Sequence, residues 1–276
     1  MVHETPKVIV SDLTQYGICP RLVYFRAREP EHVELILSGN ERSMIERILW
    51  KELAFNLHKI YGYEVAVAEP EKTAKSVLDE IVDGVEHIYK KELDAVAESV
   101  LDDVKRDFVC GIVEDETWLN KARAENELLE LQQMQGYDRE HAMVSGKLRL
   151  SGSVDKLITT ENEVIPGMIK TGKSPDYGVW PNDRMQLAAY AMLIEETFET
   201  TVQRGFVEYI RAAKFRESPI RRKDRARALQ TLKHVRRIKS GAYPDKSANA
   251  PCANCVFLDR CDTRKTLLSK LLGKNV

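Results

Sequence analysis

Residues 152–173 read GSVDKLITTENEVIPGMIKTGK, and their reading decides the fold. Val154, Leu157 and Ile158 make a short β-branched and apolar run, TTEN breaks it, and Val164, Ile165, Met168 and Ile169 make a second run. Two such runs across a short polar break predict a pair of antiparallel strands joined as a hairpin. Asp155 falls in the first strand and Lys170 at the end of the second, so neighbouring strands can aim a carboxylate and an ammonium at one point.

Reading outward, NDRMQLAAYAMLIEETF (182–198) is helical in pattern, with Asn182 or Asp183 as its N-cap. Gln186 and Tyr190 lie at i and i+4 on one face of that helix, where they could bond a phosphate or Lys170. TVQRGFVEYI (201–210) reads as a further strand, and a helix is expected from about Lys223 to Ser240. Upstream the texture changes at Gly136. Residues 70–135 read as helix throughout, with Val77, Leu78, Ile81, Val85, Ile88, Leu93, Val96, Val100 and Val104 as an amphipathic stripe. SMIERILWKELAFNLHKIYG (43–62) spaces Ile45, Ile48, Leu49, Leu53 and Leu57 as another helix. Strands flanked by helices define an α/β core carrying a helical lobe.

The 276 residues can bury a sizeable core, and 43% hydrophobic with 31% charged residues excludes a disordered chain. No apolar run reaches the length of a membrane span. The opening MVHETPKVIVSDLTQYGICP lacks the basic-then-apolar order of a secretory leader, so a cytoplasmic protein is expected. Five cysteines there are free thiols or metal ligands before they are disulfides. The net charge of −1 averages an acidic stretch, Glu69–Thr117, with a basic one, Arg211–Ser240. Arg221, Arg222, Lys223, Arg225 and Arg227 are the candidates for contact with a nucleic-acid backbone, and a solvated helix face is the alternative.

The chemistry is concentrated in two places. A carboxylate that can hold Mg²⁺ or Mn²⁺ beside a lysine that can orient water is what a metal-dependent nuclease needs, although an Asp and a Lys in a hairpin are also ordinary surface residues. Near the other end, PCANCVFLDRC (251–261) bunches three cysteines, one donor short of a closed four-ligand site.

YGICPR (16–21), GSVD…IKTGK…QLAAY and PCANCVFLDRC stand in the order in which they occur in one known group. On these motifs the chain resembles the CRISPR-associated RecB-like exonucleases and their stand-alone relatives, of the PD-(D/E)xK nuclease superfamily. The resemblance implies a restriction-endonuclease-like core over residues 1–276, with 70–135 as a helical insertion or lobe. It also implies a cluster module made of residues 1–25 and 250–265, whose ligands are Cys19, Cys252, Cys255 and Cys261. A 4Fe–4S cluster is implied ahead of a 2Fe–2S one, and zinc is the rival for four thiolates. Cys110 is then left as a core residue.

For catalysis the resemblance implies Asp155 as metal ligand, Lys170 as the residue that positions the water, and Gln186 and Tyr190 in support. The family's Glu-x-Lys has Met168 at the acidic position, and Glu163 has the wrong strand parity to replace it. A histidine ligand common on an early helix falls at Ser43 or Met44, which makes Glu46 the nearest candidate acid; His58 reads as a surface or a satisfied histidine. The implied activity is Mg²⁺- or Mn²⁺-dependent exonucleolytic hydrolysis of single-stranded DNA or DNA ends. The alternative is a weakened relative that binds DNA or a CRISPR adaptation protein.

Overall fold

The computed structural model describes residues 6–29, 41–61, 70–128, 137–255 and 257–263. Its centre is a mixed sheet of β1 (Val8–Ile9), β2 (Tyr137–Ser145), β3 (Leu150–Thr159), β4 (Val164–Lys170), β5 (Arg204–Tyr209) and β6 (Lys214–Pro219). The expected hairpin is β3–β4, with Thr159 opposite Val164 and Lys156 opposite Gly167. Its turn is held by Thr160, whose hydroxyl accepts from the Glu163 amide at 3.0 Å. β4 and β5 run parallel, with Met168 opposite Val207. Parallel neighbours need a crossover, and the helix Pro181–Phe198 supplies it.

The helices are α1 (Val10–Ile18), α2 (Pro20–Arg26), α3 (Glu41–Tyr61), α4 (Pro70–Ile88), α5 (Lys90–Leu93), α6 (Glu98–Val113), α7 (Glu116–Leu128), α8 (Pro181–Phe198), α9 (Arg222–Lys239) and α10 (Leu258–Thr263). One large apolar cluster joins α1, α2, α8 and α9 to the sheet through Val10, Leu13, Val154, Leu157, Met168 and Leu193. A second joins α3 to the helical lobe through Ile45, Leu49, Leu53, Leu78, Val104 and Trp118. α1 and α8 approach β3 closely at Gly152. A Cβ there would lie 2.7 Å from Val10 Cγ2 and 3.0 Å from Tyr190 Cε1, so only glycine fits.

Several expectations change. α8 begins at Pro181 with Trp180 as its N-cap. A proline at the first helical position sacrifices an amide the helix does not use, which frees Asn182 and Asp183 for tertiary bonds. β6 was not anticipated: KFRESP has little apolar alternation because it lies at the end of the sheet path. In the lobe, Ile88 leaves the apolar stripe and is 55% exposed at the end of α4. Cys110 is exposed, not a core residue. Val104, Phe108 and Ile112 repeat at i+4 on the buried face of α6, and Cys110 lies about 200° round the helix from Phe108. Residues 129–136, expected to extend the last lobe helix, lie outside the described residues.

Candidate active site

The hairpin carries Asp155 and Lys170 as expected, and α8 crosses beside them. Lys170 Nζ donates to Gln186 Oε1 at 2.6 Å and pairs with Asp183 Oδ1 at 3.1 Å. Asp183 is itself buried and takes the Tyr209 hydroxyl at 2.8 Å, so β5 braces the lysine through a carboxylate. Gln186 Nε2 reaches the Tyr190 hydroxyl at 3.5 Å, and that hydroxyl donates to Ser153 O at 2.8 Å. Burial, reinforced by the charge of Asp155, pushes the Tyr190 phenol up to about 12, so it stays protonated. Lys170, Gln186 and Tyr190 therefore form one connected patch, and Asp183 joins it.

Asp155 is held from two sides. Its Oδ2 accepts the Ile169 amide at 2.9 Å, which locks β3 to β4. Its Oδ1 pairs with Lys51 Nζ of α3 at 2.9 Å. The same ammonium pairs with Glu140 Oε1 at 2.7 Å. The β2–β3 register brings Glu140 across from Asp155: Arg139 faces Lys156 and His141 faces Val154. Glu140 sits between them at φ 49°, a left-handed backbone that interrupts the ladder and turns its side chain. Burial disfavours the Lys51 charge, but Asp155 and Glu140 outweigh it and raise its pKa above the ordinary 10.5.

α3 thus brings Lys51 to Asp155, not Glu46. Glu46 is taken by Arg211 at 3.0 Å and Arg42 at 3.6 Å, in a cavity floored by Trp50, Phe108 and Trp118. Ser43 and His58 are exposed. Met168 is 2% exposed, on the strand face it shares with Lys170, and supplies no oxygen. Glu163 pairs with Arg204 at 2.8 Å near the hairpin turn.

The basic residues before and on α9 divide. Arg221, Arg222, Lys223 and Arg227 are exposed. Arg225 is a clamp, with two bonds to Glu195 at 2.6 and 2.8 Å and a third to Val202 O at 2.8 Å. Arg225→Ala is expected to cost about 1–2 kcal/mol in urea unfolding by breaking this bidentate pair.

Cys19, between α1 and α2, and Cys252, Cys255 and Cys261 line one cavity of about 240 Å³. Among the described residues, Arg21, Arg26 and Lys246 are its charged lining, and none of the lining side chains is a carboxylate. Burial raises the Cys255 thiol pKa, and the other three cysteines add to the shift. Among the described residues, no group of three or more His, Cys, Asp or Glu side chains is arranged to hold a single metal ion.

A hairpin-borne Asp and Lys, backed by a crossover helix, is the frame of a nuclease. Residues 10–262 match the model of the PD-(D/E)XK nuclease superfamily, and the chain belongs to that superfamily. Within it the chain is similar to a CRISPR-associated exonuclease Cas4/endonuclease Cas1 fusion of Leptospira interrogans, with 26% identity over 130 residues. That match covers 44% of this chain and 24% of the fusion, so the chain spans about a quarter of that relative. A crystal structure of a putative exonuclease from Eubacterium rectale aligns over 73% of this chain and 78% of its own, at 14% identity and a TM-score of 0.36. Among the described residues no helix is long and apolar enough to cross a membrane.

Lys51, Glu140 and Asp183 were missed by sequence reasoning. Asp183 carried a local signal, a carboxylate one turn before Gln186, but it reads equally as a helix cap.

Proposed function

We propose that this chain is an iron–sulfur protein that engages single-stranded DNA or DNA ends at the β3–β4–α8 patch and hydrolyses the phosphodiester with Mg²⁺ or Mn²⁺. The connected side chains of Lys170, Gln186 and Tyr190, with Asp155 tied to the Ile169 amide one residue before Lys170, carry the reading. Asp155 and Glu140 would hold the ion, and their oxygens suit a hard cation once Lys51 withdraws from between them. Bound there, the ion would neutralise phosphate charge and lower the pKa of water. Lys170, steadied by Gln186 and Asp183, orients the attacking water; the Tyr190 phenol holds Gln186 in place. Exposed Arg221, Arg222, Lys223 and Arg227 follow the DNA backbone.

The four-thiol cavity supports the cluster. Four thiols around one cavity can hold a 4Fe–4S cluster or zinc, and the resemblance to the RecB-like exonucleases selects the cluster. Partners in CRISPR adaptation are proposed from the fusion relative alone.

The test is cleavage of end-labelled single-stranded DNA with Mn²⁺ by anaerobically purified protein, beside iron analysis. Asp155→Ala is expected to abolish cleavage without loss of iron. Cleavage that survives in Asp155→Ala would overturn the site assignment.

A specific observation favours a second reading, a DNA-binding or adaptor protein with weak catalysis. Lys51 already pairs with both Asp155 and Glu140, and Met168 stands where a third carboxylate is needed. Lys51→Met leaves two facing carboxylates without a cation and is expected to cost about 2 kcal/mol, below the value for fully buried pairs. Mn²⁺ should restore most of that loss in urea titrations if the carboxylates can hold it. Because the folded state raises the Lys51 pKa, its contribution is full below 10.5 and fades only as pH rises through the higher folded value. The difference between wild type and Lys51→Met should therefore be flat across neutral pH and shrink on the alkaline side.

A further inference from the structure

Arg21 follows Cys19 by two residues, yet its guanidinium reaches the far side of the cavity. Its Nη1 donates to Cys261 Sγ at 2.9 Å, and its Nε donates to Pro244 O at 3.2 Å. The ring of Tyr243 lies beneath it, 4.8 Å from the guanidinium carbon. Tyr243 is wedged against Tyr24 and Phe25 of α2, and Phe25 stacks on Phe257. The planar fork is therefore held at two of its three nitrogens and on one face, with little freedom to leave the sulfur. Of the three cations lining the cavity, Arg21 is the one with a hydrogen bond to a cysteine sulfur among the described residues.

We propose that Arg21 is a positioning residue for the four-thiol centre, one that raises its reduction potential and slows its loss. The inference rests on the cluster reading of that cavity. An N–H bond to a ligating sulfur draws electron density from it, and a fixed positive charge favours the state that has gained an electron. Both effects stabilise the reduced cluster over the oxidised one. Neither takes part in phosphodiester chemistry, so the effect is separable from cleavage.

The full chain is purified anaerobically as wild type, Arg21→Lys and Arg21→Gln, and iron and zinc are measured first. Wild type without iron overturns the cluster reading, and the role of Arg21 with it. With iron present, the visible absorbance is titrated against potential. Arg21→Gln is expected to shift the reduction equilibrium about tenfold toward the oxidised form, or 59 mV for a one-electron couple. Arg21→Lys keeps the charge but loses the fork, and should recover part of that shift while releasing iron to a chelator severalfold faster than wild type. If Arg21→Gln does not load, Arg21→Lys decides alone. A potential and a release rate equal to wild type in the loaded variants would overturn the proposal.

Discussion

Met168→Glu is expected to raise Mn²⁺-dependent DNA cleavage on the order of 10²-fold, the scale of restoring one group that faces charge developing in a transition state. Met168 lies opposite Val207 in the β4–β5 register and is 2% exposed. It shares its strand face with Lys170, two residues on, so a carboxylate there points toward the patch that Lys170 and Gln186 define. Without metal the new carboxylate is buried among apolar neighbours, and the variant should lose about 1–3 kcal/mol. Adding Mn²⁺ should recover that loss, because an ion bound by the folded state alone stabilises it by mass action. The two measurements guard each other. Greater Mn²⁺ stabilisation without cleavage would mean a repaired metal site in a protein that does not hydrolyse DNA. Neither effect would mean that Met168 is not the missing ligand position, and Asp155→Ala in the same background should erase any gain.

That prediction draws on the part of the site that was legible in the chain. The hairpin could be read because its signals are local: β-branched runs, a polar break, and a spacing that puts Asp155 and Lys170 on neighbouring strands. Gln186 and Tyr190 were legible for the same reason, being one helical turn apart. Lys51 and Glu140 were not. Glu140 sits in YDREHAMVS, where several charged residues compete, and what selects it is the β2–β3 register and a single left-handed residue. Lys51 is one of several lysines on amphipathic helices, and its importance comes from where α3 lands on the sheet. Glu46 looked better by type, but type says nothing of Arg211, which reaches it from a position 165 residues away.

Arg225 shows what the charge reading leaves out. Clustered arginines predict a phosphate footprint only if their partners are phosphates, and Glu195 on the neighbouring helix had already claimed one. Composition counts charges; it cannot count the ion pairs that spend them. The lobe shows the same limit on the apolar side, where Ile88 fits the stripe by spacing and leaves it because α4 ends there.

Cys252→Ala is expected to lower the melting temperature by about 10–20 °C and to open the chain ends to protease. A centre tied to Cys19 and Cys252 closes a loop around nearly the whole chain, and on chain-entropy grounds closing a loop of some 200 residues is worth about 5 kcal/mol. At about 2–4 °C per kcal/mol for a domain of this size, that loss gives the stated shift. Packing around the cavity will not make it good. Phe257 is buried against Phe25, but the backbone from Pro244 to Pro251 has no regular secondary structure and depends on contacts such as Arg21 to Pro244. The first cleavage sites should therefore fall between about residues 244 and 251, ahead of any cut in the β3–β4 hairpin. Cys110→Ala is the control: an exposed thiol on α6, it should leave melting, iron and protease pattern unchanged. A melting curve for Cys252→Ala that overlays wild type would mean that the two ends are held by their apolar contacts alone, and that the four thiols do not staple the fold.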